Sequence, residues 1–140
     1  MSNNFRDLTL ILMLAVICTE SSFAAERCFG VAIVEVRSLV GLPADLRKQL
    51  PTMTRGLHGI ADRRGSFNVT DVVDPDLPMQ RFSLAAVGTT CAVVAVEHGG
   101  LAHRFELTEF HLVAGKWITV GSSALHAEPK TVGDLLVGHE

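Results

Sequence analysis

A run of six apolar residues at 91–96 (CAVVAV) constrains the fold of this chain more than any other segment. A strand with one face in water alternates apolar and polar residues, whereas this run has no polar position. Turn sequences border it, with Gly88-Thr89-Thr90 before and Gly99-Gly100 after. The run therefore predicts a central strand that is covered on both faces of its sheet.

Three further strands are predicted around this central one, at 81–87, 103–113 and 117–120. The connections between the four segments are short and contain glycine. Short connections of this kind join antiparallel neighbours. The C-terminal half of the chain is therefore predicted to form a four-stranded antiparallel meander.

The N-terminal half is predicted to add a strand at 30–36 and one helix. Pro43 suits the first position of that helix, and leucines 42, 46 and 50 form a stripe at a spacing of four. A second helical turn is predicted within 53–60. The stretch 62–78 is the least regular, although alternation at 67–73 allows a short strand. The fold class is thus α+β: an antiparallel sheet of four to five strands with one helix on a face.

The first 24 residues have the pattern of a cleavable secretory signal peptide. Residues 8–18 (LTLILMLAVIC) form an apolar run of 11, and Ser22-Phe23-Ala24 fits a cleavage site. The predicted division is a signal peptide at 1–24, one domain at 25–121 and a tail at 122–140, with a helical turn near Leu135. An uncleaved anchor or a lipid-modified Cys18 is the alternative. The location implied is periplasmic or secreted, without stable membrane insertion after cleavage.

Two cysteines, Cys28 and Cys91, remain once the leader is removed. In an oxidising compartment, an even number of cysteines in a small domain predicts a disulfide. Two buried free thiols are the alternative. The bond would place the strand after Cys28 and the strand beginning at Cys91 at the same end of the sheet. If these strands were adjacent, they would be parallel.

The charge of the chain argues against two classes of partner. The formal net charge is −3, and it becomes −2 when the leader removes one of 12 basic and two of 15 acidic residues. Nucleic-acid binding proteins carry a basic footprint, which is absent here. There is also no polybasic segment of the kind that binds membrane surfaces.

Histidines and glutamates in the meander are weak candidates for a metal site. His103, Glu109 and His111 have the same parity on a strand and therefore share a face. Imidazole and carboxylate are zinc ligands, but His103 is too far from the other two along a straight strand. A neighbouring strand would have to supply the missing ligand. No metal site is predicted, and these residues are on the face that also carries core residues.

The loop at 62–78 carries the candidate ligand-binding residues. Arg63 and Arg64 offer guanidinium groups, which suit carboxylate or phosphate. Asp71, Asp74 and Asp76 form an acidic series without the glycine and closing glutamate of an EF-hand loop. Long irregular segments of compact domains are often functional, so this loop is the predicted binding surface. The alternative is that it only covers an open face of the sheet.

No catalytic or cofactor motif occurs in the sequence. It lacks a G-x-S-x-G elbow, a dinucleotide-binding G-x-G-x-x-G and a Walker sequence, and no cofactor is predicted. The expected function is that of a small exported, non-enzymatic binding protein whose partner is a protein or small ligand outside the cytoplasm. A small metal-dependent or hydrolytic enzyme and a folding or assembly accessory are the alternatives.

Overall fold

The computed structural model of this protein describes residues 32–137. The predicted signal peptide at 1–24 and Cys28 lie outside the described residues. In chain order the elements are β1 (Val34–Val36), a 3-10 turn (Leu39–Gly41), α1 (Ala44–Arg47), β2 (Ile60–Ala61), β3 (Gln80–Val87), β4 (Cys91–His98), β5 (Arg104–Val113), β6 (Lys116–Leu125) and α2 (Val132–Val137).

The strands form one mostly antiparallel sheet, in the order β1-β3-β4-β5-β6. The two-residue strand β2 pairs with β3 and is the parallel member. Strands β3 to β6 follow one another as antiparallel neighbours, so the predicted meander is confirmed. With few and short helices, the fold is α+β-like and mostly β.

The central strand β4 is buried on both faces, as predicted. Every residue from 91 to 97 is buried. Side chains alternate between two core clusters: Ala92, Val94 and Val96 belong to the first, and Val93 and Ala95 to the second. The absence of a polar face in the sequence is therefore explained by two separate cores, one on each side of the sheet.

Short helices cover the two cores: α1 is the predicted helix, although it is only four residues long, and α2 contains the helical turn predicted near Leu135. The first core contains Leu46 of α1, with Leu42 buried and Leu50 packed against it, so the leucine stripe is confirmed. The second core contains Leu135 of α2. Strand β6 also continues four residues past 121, so part of the segment expected to be a tail completes the sheet. Neither helix in the described chain is long and apolar enough to cross a membrane.

Two local predictions in the N-terminal half are wrong. Residues 53–60 are not helical, because their amides do not donate to carbonyls four residues earlier: the Gly56 amide donates to Asp76 O at 3.1 Å and the Ile60 amide to Thr52 O at 3.1 Å. Residues 67–73 form no strand, because the Asn68 amide donates to Pro78 O at 2.9 Å and its side chain binds the loop itself. The prediction that 62–78 is irregular is confirmed.

Strand β1 is not adjacent to β4. It pairs antiparallel with β3, and β3 lies between β1 and β4. Val34 of β1 and Ala92 of β4 both align with Val87, so the two strands begin at the same end of the sheet. Cys91 is buried at the start of β4. Its pairing with Cys28 involves a residue outside 32–137 and stays a prediction.

Candidate functional site

The site lies where β1 and β2 meet along one edge of β3. Strand β1 runs antiparallel to β3 and ends with Val36 opposite Ala85. Strand β2 runs parallel to β3 and ends with Ala61 opposite Arg81. The two short strands therefore run toward each other, and the residues that follow them come together beside the middle of β3.

Asp62 fastens the two chain segments that leave these strands. Its carboxylate accepts hydrogen bonds from Ser38 Oγ at 2.5 Å and from the amides of Leu39 and Arg63, each at 2.8 Å. Burial by itself raises the pKa of this carboxyl, but the three hydrogen bonds outweigh it, and the pKa is lowered. An ionised Asp62 therefore fixes the backbone on both sides of the site.

Three arginines line a cavity of about 270 Å³ at this junction: Arg37 after β1, and Arg63 and Arg64 after β2. We call this cavity the arginine pocket. Arg37 pairs with Glu35 and donates to Lys130 O at 3.4 Å. Within residues 32–137, no carboxylate forms a salt bridge with Arg63 or Arg64. The three guanidinium groups outnumber the two carboxylates beside them, Glu35 and Asp62, so the pocket carries a net positive charge.

The Arg63 side chain carries a buried donor without an acceptor. Its Nη1 atom is inaccessible to solvent and has no hydrogen-bond partner in the described structure. Arg64 has a φ of 67°, in the left-handed region, where it is held by a turn that Gly65 N closes on Asp62 O at 2.8 Å. Both features cost free energy in the folded protein.

The predicted acidic residues do not join the arginine pocket. Asp71, Asp74 and Asp76 are exposed, and Asp74 serves the loop: its Oδ1 accepts from Asp76 N at 2.9 Å. The Asn68 side chain also binds this segment: its Nδ2 donates to Asp74 O and Leu77 O, and its Oδ1 accepts from Asp74 N. The acidic series is therefore a structural turn.

A second, larger cavity lies on the same loop. It measures about 520 Å³, and the charged groups along it are Arg55, Asp62 and Asp76. Its remaining walls come from Met53, Thr54, Ile60, Ala61, Gly65, Ser66, Leu77 and Pro78. Asp62 and Gly65 belong to this groove and also to the turn that carries the arginines, so the loop presents two neighbouring concave surfaces.

The weak metal candidates are on one face but do not converge. His111 Nε2 lies 2.6 Å from Glu109 Oε1, whereas His103 Nε2 lies 2.7 Å from Glu97 Oε1. His111 aligns with Cys91, the first residue of β4, whereas His103 binds Glu97 near the last residue of that strand. The two pairs therefore lie at opposite ends of β4. No three histidine, cysteine, aspartate or glutamate side chains between residues 32 and 137 are grouped for a metal ion.

Sequence reasoning did not find the cluster around Glu97. This buried carboxylate binds Arg81 on β3 through Nε at 2.9 Å and Nη2 at 2.6 Å, and it also binds His103. The guanidinium of Arg81 lies 4.3 Å from the ring centroid of Phe67 in the 62–78 loop. The signal in the sequence was a single charged residue at the end of a fully apolar run. The cluster attaches the loop to the sheet.

No protein-family model, no curated protein and no solved structure matches this chain.

The stability of the protein is expected to fall on acidification in two steps. Burial lowers the pKa of His98 from 6.5, assisted by Arg104 and opposed by Glu106. The unfolded chain therefore binds the proton more readily, so stability is lost as the pH falls below about 6.5. Asp62, whose pKa is lowered from 3.8, adds a second loss below about pH 4.

Urea unfolding between pH 8 and pH 3 measures both steps. We expect His98→Gln to remove the first step and Asp62→Asn to reduce the second. An unfolding free energy for the native protein that rises between pH 7 and pH 5 would contradict the assignment to His98.

Proposed function

We propose that this protein is a small exported binding protein, without enzymatic activity, that acts in the periplasm or outside the cell. The binding surface is the junction of β1, β2 and the 62–78 loop. The observation that carries the proposal is the arginine pocket, in which Arg63 and Arg64 have no carboxylate partner among residues 32–137. Unpaired guanidinium groups at one cavity on a fixed backbone favour recognition of a ligand.

The fixed backbone supports this proposal because binding loses less entropy when the site is already ordered. Asp62 holds the residues on both sides of the pocket, and Asn68 holds the far part of the loop with three hydrogen bonds. The signal peptide predicted at 1–24 supports the location. The Cys28–Cys91 disulfide belongs to the same proposal, since an oxidising compartment favours it.

Export is tested by expressing the full chain with its own leader. We expect mass spectrometry of the exported protein to show a mature chain beginning at Ala25. We also expect Cys28 and Cys91 to resist alkylation until they are reduced. An intact N-terminus in the membrane fraction, or labelling of both thiols without reduction, would contradict these parts of the proposal.

Binding at the loop is tested by photo-crosslinking in the organism of origin. Benzoylphenylalanine replaces Ser66, which follows the arginines and is exposed, or Val113 as a control at the opposite end of the sheet. We expect adducts of defined mass from position 66 and not from position 113. Equal adduct patterns at the two positions, or none at position 66, would contradict a binding role for this loop.

A further inference from the structure

We propose that the arginine pocket binds the phosphoryl group of a phosphomonoester. This inference rests on the proposed binding function and names the ligand class for the same site. It depends on the charge of the pocket, the size of the cavity and the unsatisfied donor of Arg63, each of which restricts the ligand independently.

The guanidinium groups of the pocket favour an anion with several acceptor oxygens. Of the three guanidinium groups, Arg37 is paired with Glu35, while Arg63 and Arg64 have no ion-pair partner among residues 32–137. Asp62 is ionised and adds one negative charge to the same turn, but its oxygens accept from Ser38 and from the backbone and form no ion pair with either arginine. Two guanidinium groups without an ion-pair partner match a phosphomonoester, which carries about −1.5 to −2 at pH 7 and offers three strong acceptor oxygens. A carboxylate has one charge and two acceptor oxygens, and it can fill only one of the two guanidinium forks.

The geometry of the donors suits a tetrahedral group with several acceptor oxygens. Each guanidinium presents a planar fork of N–H donors that can hold two oxygens at once. Arg63 Nη1 already lies in a buried position without an acceptor. Because a buried charged donor without a partner is costly, a turn of the Arg63 side chain that brings Nη1 to a ligand oxygen recovers the missing hydrogen bond.

The size of the cavity limits how much of the ligand is enclosed. Pockets for drug-sized ligands usually measure about 300–1,000 Å³, and the arginine pocket measures about 270 Å³. It therefore encloses a head group, and the rest of the ligand extends outward. Polyanions such as nucleic acids are disfavoured as partners, because the chain has a net charge of −3 and lacks their basic footprint.

The test is a calorimetric titration of the mature full chain with phenyl phosphate at pH 7.5 and 150 mM salt. Benzoate, which has the same ring with one negative charge, is the matched ligand. We expect saturable 1:1 binding of phenyl phosphate that is at least tenfold tighter than that of benzoate. Arg63→Ala/Arg64→Ala should weaken phenyl phosphate at least tenfold, and Arg63→Lys/Arg64→Lys, which keeps the charge, should weaken it severalfold.

The control variant is Arg104→Ala/Lys116→Ala, which removes two exposed cations away from the pocket and changes the net charge equally. It should bind within twofold of the native protein. Melting curves identify any variant that fails to fold, and the lysine pair then replaces the alanine pair. No saturable binding, equal binding of benzoate, or equal losses in pocket and control variants would overturn the proposal.

Two further ligands distinguish the source of the phosphoryl group. Inorganic phosphate that binds as tightly as phenyl phosphate indicates a free ion, whereas a preference for phosphatidic acid vesicles over phosphatidylglycerol vesicles indicates a lipid head group. Failure of all phosphate ligands while position 66 still forms specific adducts would reject this inference alone. Absence of specific crosslinked adducts at position 66 would reject the binding function itself.

Discussion

Replacing Gly99 with alanine is expected to lower the free energy of unfolding by about 3 kcal/mol or more. A Cβ atom at this position would lie 1.5 Å from Asn68 O and 2.7 Å from Asn68 C. Such distances are far inside van der Waals contact, so one of the two backbone segments has to move.

The Asn68 backbone has little freedom to move away. Its amide donates to Pro78 O at 2.9 Å, and its side chain makes three hydrogen bonds within the loop. We therefore expect Gly99→Ala to separate the 62–78 loop from the turn between β4 and β5. Urea unfolding measures the loss of stability, and limited proteolysis should show faster cleavage within the loop.

Gly121→Ala is the matched control, because a Cβ atom there meets no atom within 4 Å in the described structure. Its unfolding free energy should change by no more than about 0.5 kcal/mol. A Gly99→Ala protein that unfolds at the same urea concentration as Gly121→Ala would show that the loop is not seated on the turn.

The meander could be predicted from the sequence because each of its determinants is local. The apolar run of β4 indicates burial on two faces, and short turns join it to its neighbours. The turn between β5 and β6 consists of Ala114 and Gly115, both with positive φ, which is the geometry of a two-residue hairpin. Here sequence neighbours are also neighbours in space.

The pairing of β1 and β2 with β3 could not be predicted, because it joins residues that are far apart in the chain. Val36 aligns with Ala85, and Ala61 with Arg81. Strands of three and two residues carry too few side chains to show a period. The helix expected at 53–60 failed for a related reason: the amides of Gly56 and Ile60 donate to Asp76 O and Thr52 O and not to carbonyls four residues earlier.

The candidate site was predicted in part. Arg63 and Arg64 were identified because two cations in a long loop suit an anion. Arg37 was missed, since only the meeting of β1 and β2 places it in the same cavity. Asp71, Asp74 and Asp76 lie outside the arginine pocket. A series of aspartates looks the same in sequence whether it binds a cation or stabilises a turn, as Asp74 does here.

Removal of the Glu97 carboxylate is the second large effect that we expect. Only 7% of this side chain is exposed, and Glu97→Ala leaves the guanidinium of Arg81 without its partner. Breaking a buried ion pair in this way commonly costs about 3–5 kcal/mol. Because 29% of the Arg81 side chain is exposed and can rehydrate, we expect a loss of about 2–3 kcal/mol.

The loss should extend to the loop, because Arg81 packs over Phe67 and His103 binds the other carboxylate oxygen. Glu106→Ala is the matched control: Glu106 pairs with His98 at 3.2 Å and with Arg104 at 3.6 Å but is considerably more exposed. Exposed pairs contribute about 0–1 kcal/mol, so Glu106→Ala should cost less than half as much as Glu97→Ala.

A double-mutant cycle separates the ion pair from simple loss of volume. Urea unfolding of Glu97→Ala, Arg81→Ala and the double variant should give a coupling energy of at least about 1 kcal/mol, since the two residues are in direct contact. The double variant should be scarcely less stable than Glu97→Ala, because it no longer buries an unpaired charge. Additive losses in the cycle would mean that Arg81 and Glu97 stabilise the protein separately and not as an ion pair.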